Sequence, residues 1–405
     1  MMKRGKNPIV YVTRDIERAL GMTPSNDYIV ISNRTPYSET IKNQYPDFVY
    51  LIDSGEKILD TSELLEHREV QSIILEKKAD ILVFKNTTGI EALCKKNNWT
   101  LLNPSATLAE KVENKITQVE WLGEIGTKYL PTHTIAPTAN LKWNKIPSVI
   151  QWAHSHTGEG TILINSENEL RAIQAKFPNR EARLTTFVHG PSFTVNVVMT
   201  KEKILTGNIS YQITGLFPFT DNVFSTIGND WSVTHSLLTE AETGYIETMA
   251  REIGEKLKND GWRGLFGIDV IKDIHSDHIF LIEINVRQPA STTFESILQE
   301  ENRQQGISGI TTYEAHIISL CNQKMSDALI IINDGAQIIQ RITKTCTHTS
   351  EKMLEALGTA GFDVITYSNS EYNSDLARIQ SRKGIMEGHA KFNARGKEIS
   401  NILLT

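Results

Sequence analysis

Two carboxylates that face each other across a hairpin are the side chains best placed to do chemistry. Residues 263–291 have the pattern of two apolar strands joined by a short polar turn. A turn centred on Ser276 pairs Asp269 with Glu283. Opposed carboxylates repel each other, and Mg²⁺ relieves that repulsion because it binds one or two carboxylates and leaves its other positions to phosphates and water. The hairpin is therefore predicted to be a platform for a metal–nucleotide complex.

The second strand of the hairpin carries two more polar groups on the same face. Asn285 and Arg287 follow Glu283 at intervals of two, so all three side chains point the same way. A charged residue within an apolar strand needs a partner or a metal. A plain ion pair between Glu283 and Arg287, or solvated carboxylates without function, is the simpler alternative.

A glycine-rich segment lies upstream, between two predicted strands. Residues 155–161 contain two glycines and three hydroxyl side chains, and such a turn can direct successive N–H groups at phosphate oxygens. The segment is no Walker A loop, because no Gly-Lys-Ser/Thr follows. An ordinary hairpin turn would also explain it.

The order of these motifs resembles the ATP-grasp enzymes. The Asp, Glu-x-Asn-x-Arg, Pro, Ser series at 269–291 resembles their closing signature, and the loop at 155–161 lies about where their glycine-rich loop does. Residues 113–117 and 185–192 resemble their early lysine segment and their adenine-binding hinge, although the latter could be an ordinary strand end. The resemblance covers about residues 106–320.

The resemblance implies ATP and Mg²⁺ as cofactors and a set of site residues. It implies that Asp269, Glu283 and Asn285 hold the metal, and that Arg287 is catalytic and faces the acyl phosphate. The implied ATP-binding residues are Lys115, Gln151, Ser155, Thr157, Gly158, Gly160, Thr161, Thr186, Phe187 and Val188. Gln212, Arg287 and Ser291 are the predicted contacts of the substrate. Two positions depart from the family pattern: Gln151 stands where a second lysine is usual, and Ser192 near where an acidic residue often holds the ribose.

Composition limits the possible partners. The 405 residues carry a net charge of −6, which argues against a dominant nucleic-acid or anionic-membrane surface. Three cysteines far apart indicate a reducing compartment. No run approaches the length of a membrane span and no apolar segment follows the basic start, so a cytoplasmic protein is predicted. A homodimer is the default oligomer.

The predicted elements divide the chain into α/β and α+β domains. Alternating strands and helices predict a Rossmann-like domain over residues 1–105 that precedes the ATP-grasp fold. The ATP-grasp domain is expected over residues 106–325, with a small clamping lobe at about 145–205 and a large lobe at about 206–325. Residues 326–405 are expected to form a small C-terminal α+β domain.

Taken with the resemblance, these features predict an ATP-dependent carboxylate–amine ligase that forms an amide or peptide bond through an acyl phosphate. The substrates would be small molecules, with an amino acid or short peptide as the amine. A biotin carboxylase-like enzyme, a kinase that releases an acyl phosphate, and a nucleotide-binding pseudoenzyme are the alternatives. Neutral Gln151 favours the last of these.

Overall fold

The computed structural model describes residues 7–153, 161–325 and 327–404. Within them, most strands belong to a four-stranded parallel sheet, a four-stranded antiparallel sheet and an eight-stranded antiparallel sheet. This mixed α/β and α+β architecture agrees with the predicted fold class.

The N-terminal region is a parallel sheet with helices, as the alternating pattern predicts. Its strands are β1 (Ile9–Val12), β2 (Tyr28–Asn33), β3 (Val49–Ile52) and β4 (Asp80–Val83), and its helices are α1 (Pro36–Gln44), α2 (Thr61–Glu66), α3 (Arg68–Lys77) and α4 (Thr88–Lys96). The strand order is β3-β2-β1-β4. β1 is a central strand of this sheet, and Leu101 adds only a single bridge to Ile81 on β4.

Three short helices connect this region to the rest of the chain. They are α5 (Ala106–Glu113), α6 (Thr117–Leu122) and α7 (Glu124–Tyr129). The chain does not continue as one helix here, because Asn114 ends α5 and its side-chain oxygen accepts a hydrogen bond from the Ile116 amide at 2.9 Å. Lys115 therefore lies in a break between helices and not inside one.

The small sheet is built from nearby segments. Its elements are β5 (His133–Pro137), β6 (Ser148–Trp152), β7 (Thr161–Ile164), α8 (Glu167–Lys176) and β8 (Glu181–Thr186). The strand order is β5-β8-β6-β7, with antiparallel neighbours throughout. Ser166 caps α8 by accepting a hydrogen bond from the Glu169 amide.

The eight-stranded sheet takes strands from the rest of the chain in the order β13-β12-β9-β10-β11-β14-β16-β15. The strands are β9 (Ser192–Met199), β10 (Ile204–Thr214), β11 (Thr226–Asp230), β12 (Gly264–Lys272), β13 (Ile279–Asn285), β14 (Ala336–Arg341), β15 (Asp363–Thr366) and β16 (Asp375–Ser381). The remaining elements are α9 (Thr234–Leu237), α10 (Glu240–Asn259), α11 (Thr292–Gln304), α12 (Thr312–Leu320), α13 (Glu351–Thr359), β17 (Met386–Gly388), β18 (Lys391–Phe392) and α14 (Ala394–Leu403).

This sheet corrects the expected lobe boundaries. Strand β9 was assigned to the small lobe, but it pairs with β10 and β12 in the large sheet, and it is buried along almost its whole length. The C-terminal strands β14 and β16 extend that same sheet through β11. A central strand is buried on both faces, so its sequence is mostly apolar. The sequence of β9 alone therefore does not show to which of the two sheets the strand belongs.

The two faces of the large sheet differ in chemistry near the hairpin. Helix α10 packs on one face, where Ile246 and Met249 join a core with Val195 and Ile268. Cross-strand pairing puts Thr194 and Asp269 on the opposite face. None of the helices among the described residues has an apolar stretch that could cross a bilayer.

Candidate active site

Strands β12 and β13 bring the two carboxylates together as predicted. Asp269 is the direct cross-strand partner of Glu283, and Gly267 is that of Asn285. The register shifts just after Asp269, where Val270 pairs with Leu281. The bulge lies on the turn side of Asp269, so Glu283 and Asn285 stay on the same face of the hairpin as Asp269.

The surroundings of Asp269 hold it in place and disfavour its charge. Thr194 donates a hydrogen bond to its Oδ1 at 2.7 Å, and Asn285 donates one to its Oδ2 at 3.1 Å. Burial and then repulsion from Glu283 raise the pKa of Asp269 to about 6. A cation bound between the two carboxylates would remove that repulsion.

Lys115 is the partner of Glu283, in place of the Arg287 that the simple alternative suggested. Its Nζ lies 2.7 Å from Glu283 Oε1, and the lysine is only 5% exposed. Burial lowers the pKa of Lys115, and Glu283 offsets part of that effect. Burial opposes ionisation of Glu283 too, but Lys115 outweighs it and lowers the pKa of the carboxyl. Each charge therefore favours the ionised form of the other.

Arg287 is oriented by a group outside the hairpin. Its Nη1 forms an ion pair with Glu113 at the end of α5. Lys85, which follows β4, contacts the other oxygen of Glu113 at 2.7 Å. Although burial acts against ionisation of Glu113, Arg287 and Lys85 lower its pKa. Sequence reasoning assigned no function to Glu113 or Lys85, since nothing in their local pattern connects them to a hairpin far along the chain.

The small sheet provides the opposite wall. Gln151 lies between Thr161 on β7 and Arg183 on β8. The amide of Lys115 donates to the carbonyl of Ala153 at 3.2 Å, so the break after α5 is tied to the end of β6. Four of the predicted ATP-binding residues lie outside the described residues, namely Ser155, Thr157, Gly158 and Gly160.

The predicted adenine hinge follows β8. The amides of Thr186 and Phe187 already donate to the carbonyls of Thr132 and Pro147, both at 2.9 Å. Of the three predicted hinge residues, Val188 therefore remains the candidate whose N–H group contacts adenine, as the resemblance implies. The ring of Phe187 packs edge-on against that of His189, with centroids 4.4 Å apart.

The two predicted substrate contacts besides Arg287 differ in position. Gln212 donates to Thr194 Oγ1 at 2.9 Å, and Thr194 in turn binds Asp269, so Gln212 lies beside the carboxylates. Ser291 is buried and exchanges hydrogen bonds with Asn196 at 3.0–3.2 Å. We therefore retain Gln212 as a proposed substrate contact and regard Ser291 as part of the support beneath the site.

The donor set suits Mg²⁺ that arrives with phosphates. No group of three or more His, Cys, Asp or Glu side chains able to bind a metal occurs in the described parts of the chain. Asp269, Glu283 and the amide of Asn285 give two carboxylates and one neutral oxygen, which matches how Mg²⁺ binds in nucleotide sites. The phosphates would complete its coordination.

Comparison with known proteins agrees with this geometry. A family model described as an ATP-grasp domain matches residues 112–291. No curated protein matches the sequence. Among solved structures, N5-carboxyaminoimidazole synthetase from Staphylococcus aureus has 12% identity and a TM-score of 0.65, with 100% of this chain and 99% of that chain covered. The Aspergillus clavatus N5-carboxyaminoimidazole synthase bound to ADP and 5-aminoimidazole ribonucleotide has 14% identity and a TM-score of 0.64, covering 98% and 97%.

An L-amino acid ligase from Bacillus licheniformis is also similar, with 14% identity, a TM-score of 0.62 and coverage of 95% of this chain and 94% of that chain. At such identities the likeness concerns the fold alone. The fold extends over the whole chain, and the family match includes Lys115, the hairpin carboxylates and Arg287. Residues 112–291 therefore form an ATP-grasp domain.

Proposed function

We propose that this protein is an ATP-dependent carboxylate–amine ligase that works through an acyl phosphate. The observation that carries the proposal is the grouping of Asp269, Glu283 and Asn285 on one face of the β12–β13 hairpin, with Lys115 in contact with Glu283. Arg287 follows two residues after the end of β13 and is held by Glu113. A paired carboxylate platform flanked by two cations suits phosphoryl transfer, which depends mainly on positioning and charge neutralisation.

The reaction would have two steps. An oxygen of the substrate carboxylate attacks the γ-phosphorus of ATP, so a new O–P bond forms while the bond to ADP breaks. The amine nitrogen then attacks the acyl carbon, inorganic phosphate leaves with the bonding electron pair, and the nitrogen loses a proton. Mg²⁺, when bound, would neutralise charge on the phosphates.

The protein residues would act by position and charge. Lys115 would exchange its contact with Glu283 for a phosphate oxygen. Arg287 would stabilise the negative charge on the transferring group and on the tetrahedral intermediate. Gln212 would orient the acceptor substrate beside Asp269, and Val188 would contact adenine through its backbone.

Purified protein offers a direct test. Phosphate release from Mg·ATP should need a carboxylate and an amine together, and the product should have the mass of their condensation minus water. Amino-acid pairs are the first panel. Nucleotide binding without turnover on any panel would support the pseudoenzyme alternative, and absence of nucleotide binding would refute the proposal.

A second candidate has its own support. The likeness to N5-carboxyaminoimidazole ribonucleotide synthetases covers nearly the entire chain, so the panel needs an arm with bicarbonate and 5-aminoimidazole ribonucleotide. Turnover in that arm alone would favour a carboxylating enzyme. A further arm with bicarbonate and free biotin addresses the biotin carboxylase-like alternative, and phosphate transfer without amine would indicate a kinase.

The domain division at about residues 105 and 325, a homodimer and a cytoplasmic location are also part of the proposal. Limited proteolysis would test the division, and light scattering of the purified protein would test the oligomeric state.

A further inference from the structure

An arginine that sequence reasoning passed over lies in the wall opposite the hairpin. Arg183 is in the middle of β8, is 3% exposed, and is the cross-strand partner of Gln151. Its Nε and Nη2 both donate to Gln151 Oε1, at 3.2 and 2.7 Å. The neutral amide at position 151 is therefore the support of a buried cation.

The remaining nitrogen of this guanidinium has no such support. Arg183 Nη1 is buried and makes no hydrogen bond with any residue that the structure describes. A buried donor on a charged group is costly to leave without a partner. Burial lowers the pKa of Arg183 to about 10, against the attraction of Glu283, so the group is still charged at neutral pH.

The charge of Arg183 is close to the carboxylate platform. It interacts with Glu283, and its proximity lowers the pKa of Lys115 further. Two cations, Lys115 and Arg183, thus approach the same carboxylate from different elements. Cations gathered in this way repel each other unless more negative charge arrives, and a polyphosphate would bring it.

We propose that Arg183, oriented by Gln151, is the small-lobe cation that contacts the phosphates of the bound nucleotide. The contact rests on the proposed function, since it needs a nucleotide in this site. It also explains the departure at position 151. A lysine there would place two cations side by side in a buried wall, whereas glutamine accepts two hydrogen bonds from the guanidinium. The positive charge is present in this wall, but the neighbouring strand supplies it.

Relocating the charge tests the proposal. Arg183→Gln should weaken binding of Mg·ADP about 10- to 100-fold, because a charge-assisted hydrogen bond is lost. Binding of adenosine, which has no phosphates, should change less than about twofold. The double variant Gln151→Lys/Arg183→Gln moves the cation to the adjacent strand, and Mg·ADP affinity should return to within a few-fold of wild type. Arg171→Gln is the matched control, because Arg171 lies exposed on α8 of the same lobe.

Calorimetry of the full-length protein gives these affinities, and thermal melting confirms that each variant is folded. Equal losses for ADP and adenosine, unchanged ADP affinity, or a folded double variant that binds ADP no better than Arg183→Gln would overturn the assignment. If Arg183→Gln does not fold, the double variant is compared with wild type directly. An Mg·ADP affinity within a few-fold of wild type would support the assignment, and a loss of about 10-fold or more in a folded double variant would overturn it. Wild-type protein that binds no nucleotide would refute the proposed function itself, whereas loss of the Arg183 effect alone would refute only this contact.

Discussion

Lys115 and Glu283 neutralise each other across the base of the site, with Nζ and Oε1 2.7 Å apart. Lys115 was predicted to contact phosphates and Glu283 to hold a metal. In their direct contact, Lys115 lies where the metal would contact Glu283, and Glu283 lies where a phosphate would contact Lys115. The lysine is almost fully buried, and a buried cation that loses its partner is destabilising. Nucleotide and metal must therefore replace this pair together.

This pair should show measurable coupling. Replacing either side in Lys115→Met or Glu283→Gln leaves its partner uncompensated, and the double variant removes both charges. We expect a coupling free energy of unfolding of about 1–2 kcal/mol, somewhat below that of a fully buried charged pair because Glu283 is one-third exposed. Chemical denaturation of the four proteins measures it. The exposed Lys128–Glu252 pair, also at 2.7 Å, is the control and should show clearly weaker coupling; equal coupling in both pairs would contradict the expectation.

Asp269→Asn should separate catalysis from stability. It removes a carboxylate that is repelled by Glu283, so the ligand-free protein should keep its melting temperature. ATP turnover should fall about 100-fold or more, because the metal loses one of its two carboxylates. Phosphate release and thermal melting are the measurements. Glu255→Gln, on the exposed side of α10, should leave both unchanged. Near wild-type turnover by Asp269→Asn would rule out the metal assignment.

Binding of Mg·ADP should depend on pH through Asp269. Its pKa in the folded protein, about 6, lies above its ordinary 3.8, so the protonated form is favoured. The stability that protonated Asp269 gives the folded protein is complete below pH 3.8 and is lost as the pH rises through about 6. Metal binding needs the carboxylate, so affinity should fall by up to about tenfold per pH unit below 6 and level off above it. Calorimetry from pH 5 to 7.5 would show this, with adenosine as a control; equal affinity at pH 5 and 7 would exclude Asp269 as a ligand.

Glu113 should act by positioning Arg287. Glu113→Gln keeps the shape of the side chain but weakens its grip on Arg287 and Lys85. We expect kcat to fall about 10- to 100-fold, since small displacements of a positioned group have effects of this size. Mg·ADP affinity should change little, because Glu113 does not contact the carboxylate platform in the described residues. Steady-state kinetics with Glu110→Gln, exposed on the same helix, as control would check this. Equal effects on kcat and on ADP affinity would indicate a general structural role.

The sequence alone determined the local geometry of the platform. Alternation along a strand and a count from the turn were sufficient to pair Asp269 with Glu283 and to put Asn285 on the same face. The alternating N-terminal fold and the small sheet around β6 and β7 were likewise predictable. Such sequence patterns repeat every two to four residues. They therefore predict the geometry of one hairpin or one helix, but not the contacts between distant segments.

Only the tertiary structure decided which charges meet. Lys115 with Glu283, Arg287 with Glu113, and Arg183 with Gln151 join segments that are distant or on separate strands. The same holds for β9, whose apolar sequence suits either sheet and whose place is set by pairing with β10 and β12. The physical reason is that long-range partners are selected by the packing of whole sheets and by the cost of leaving a buried charge alone. Neither is encoded in the spacing of neighbouring residues.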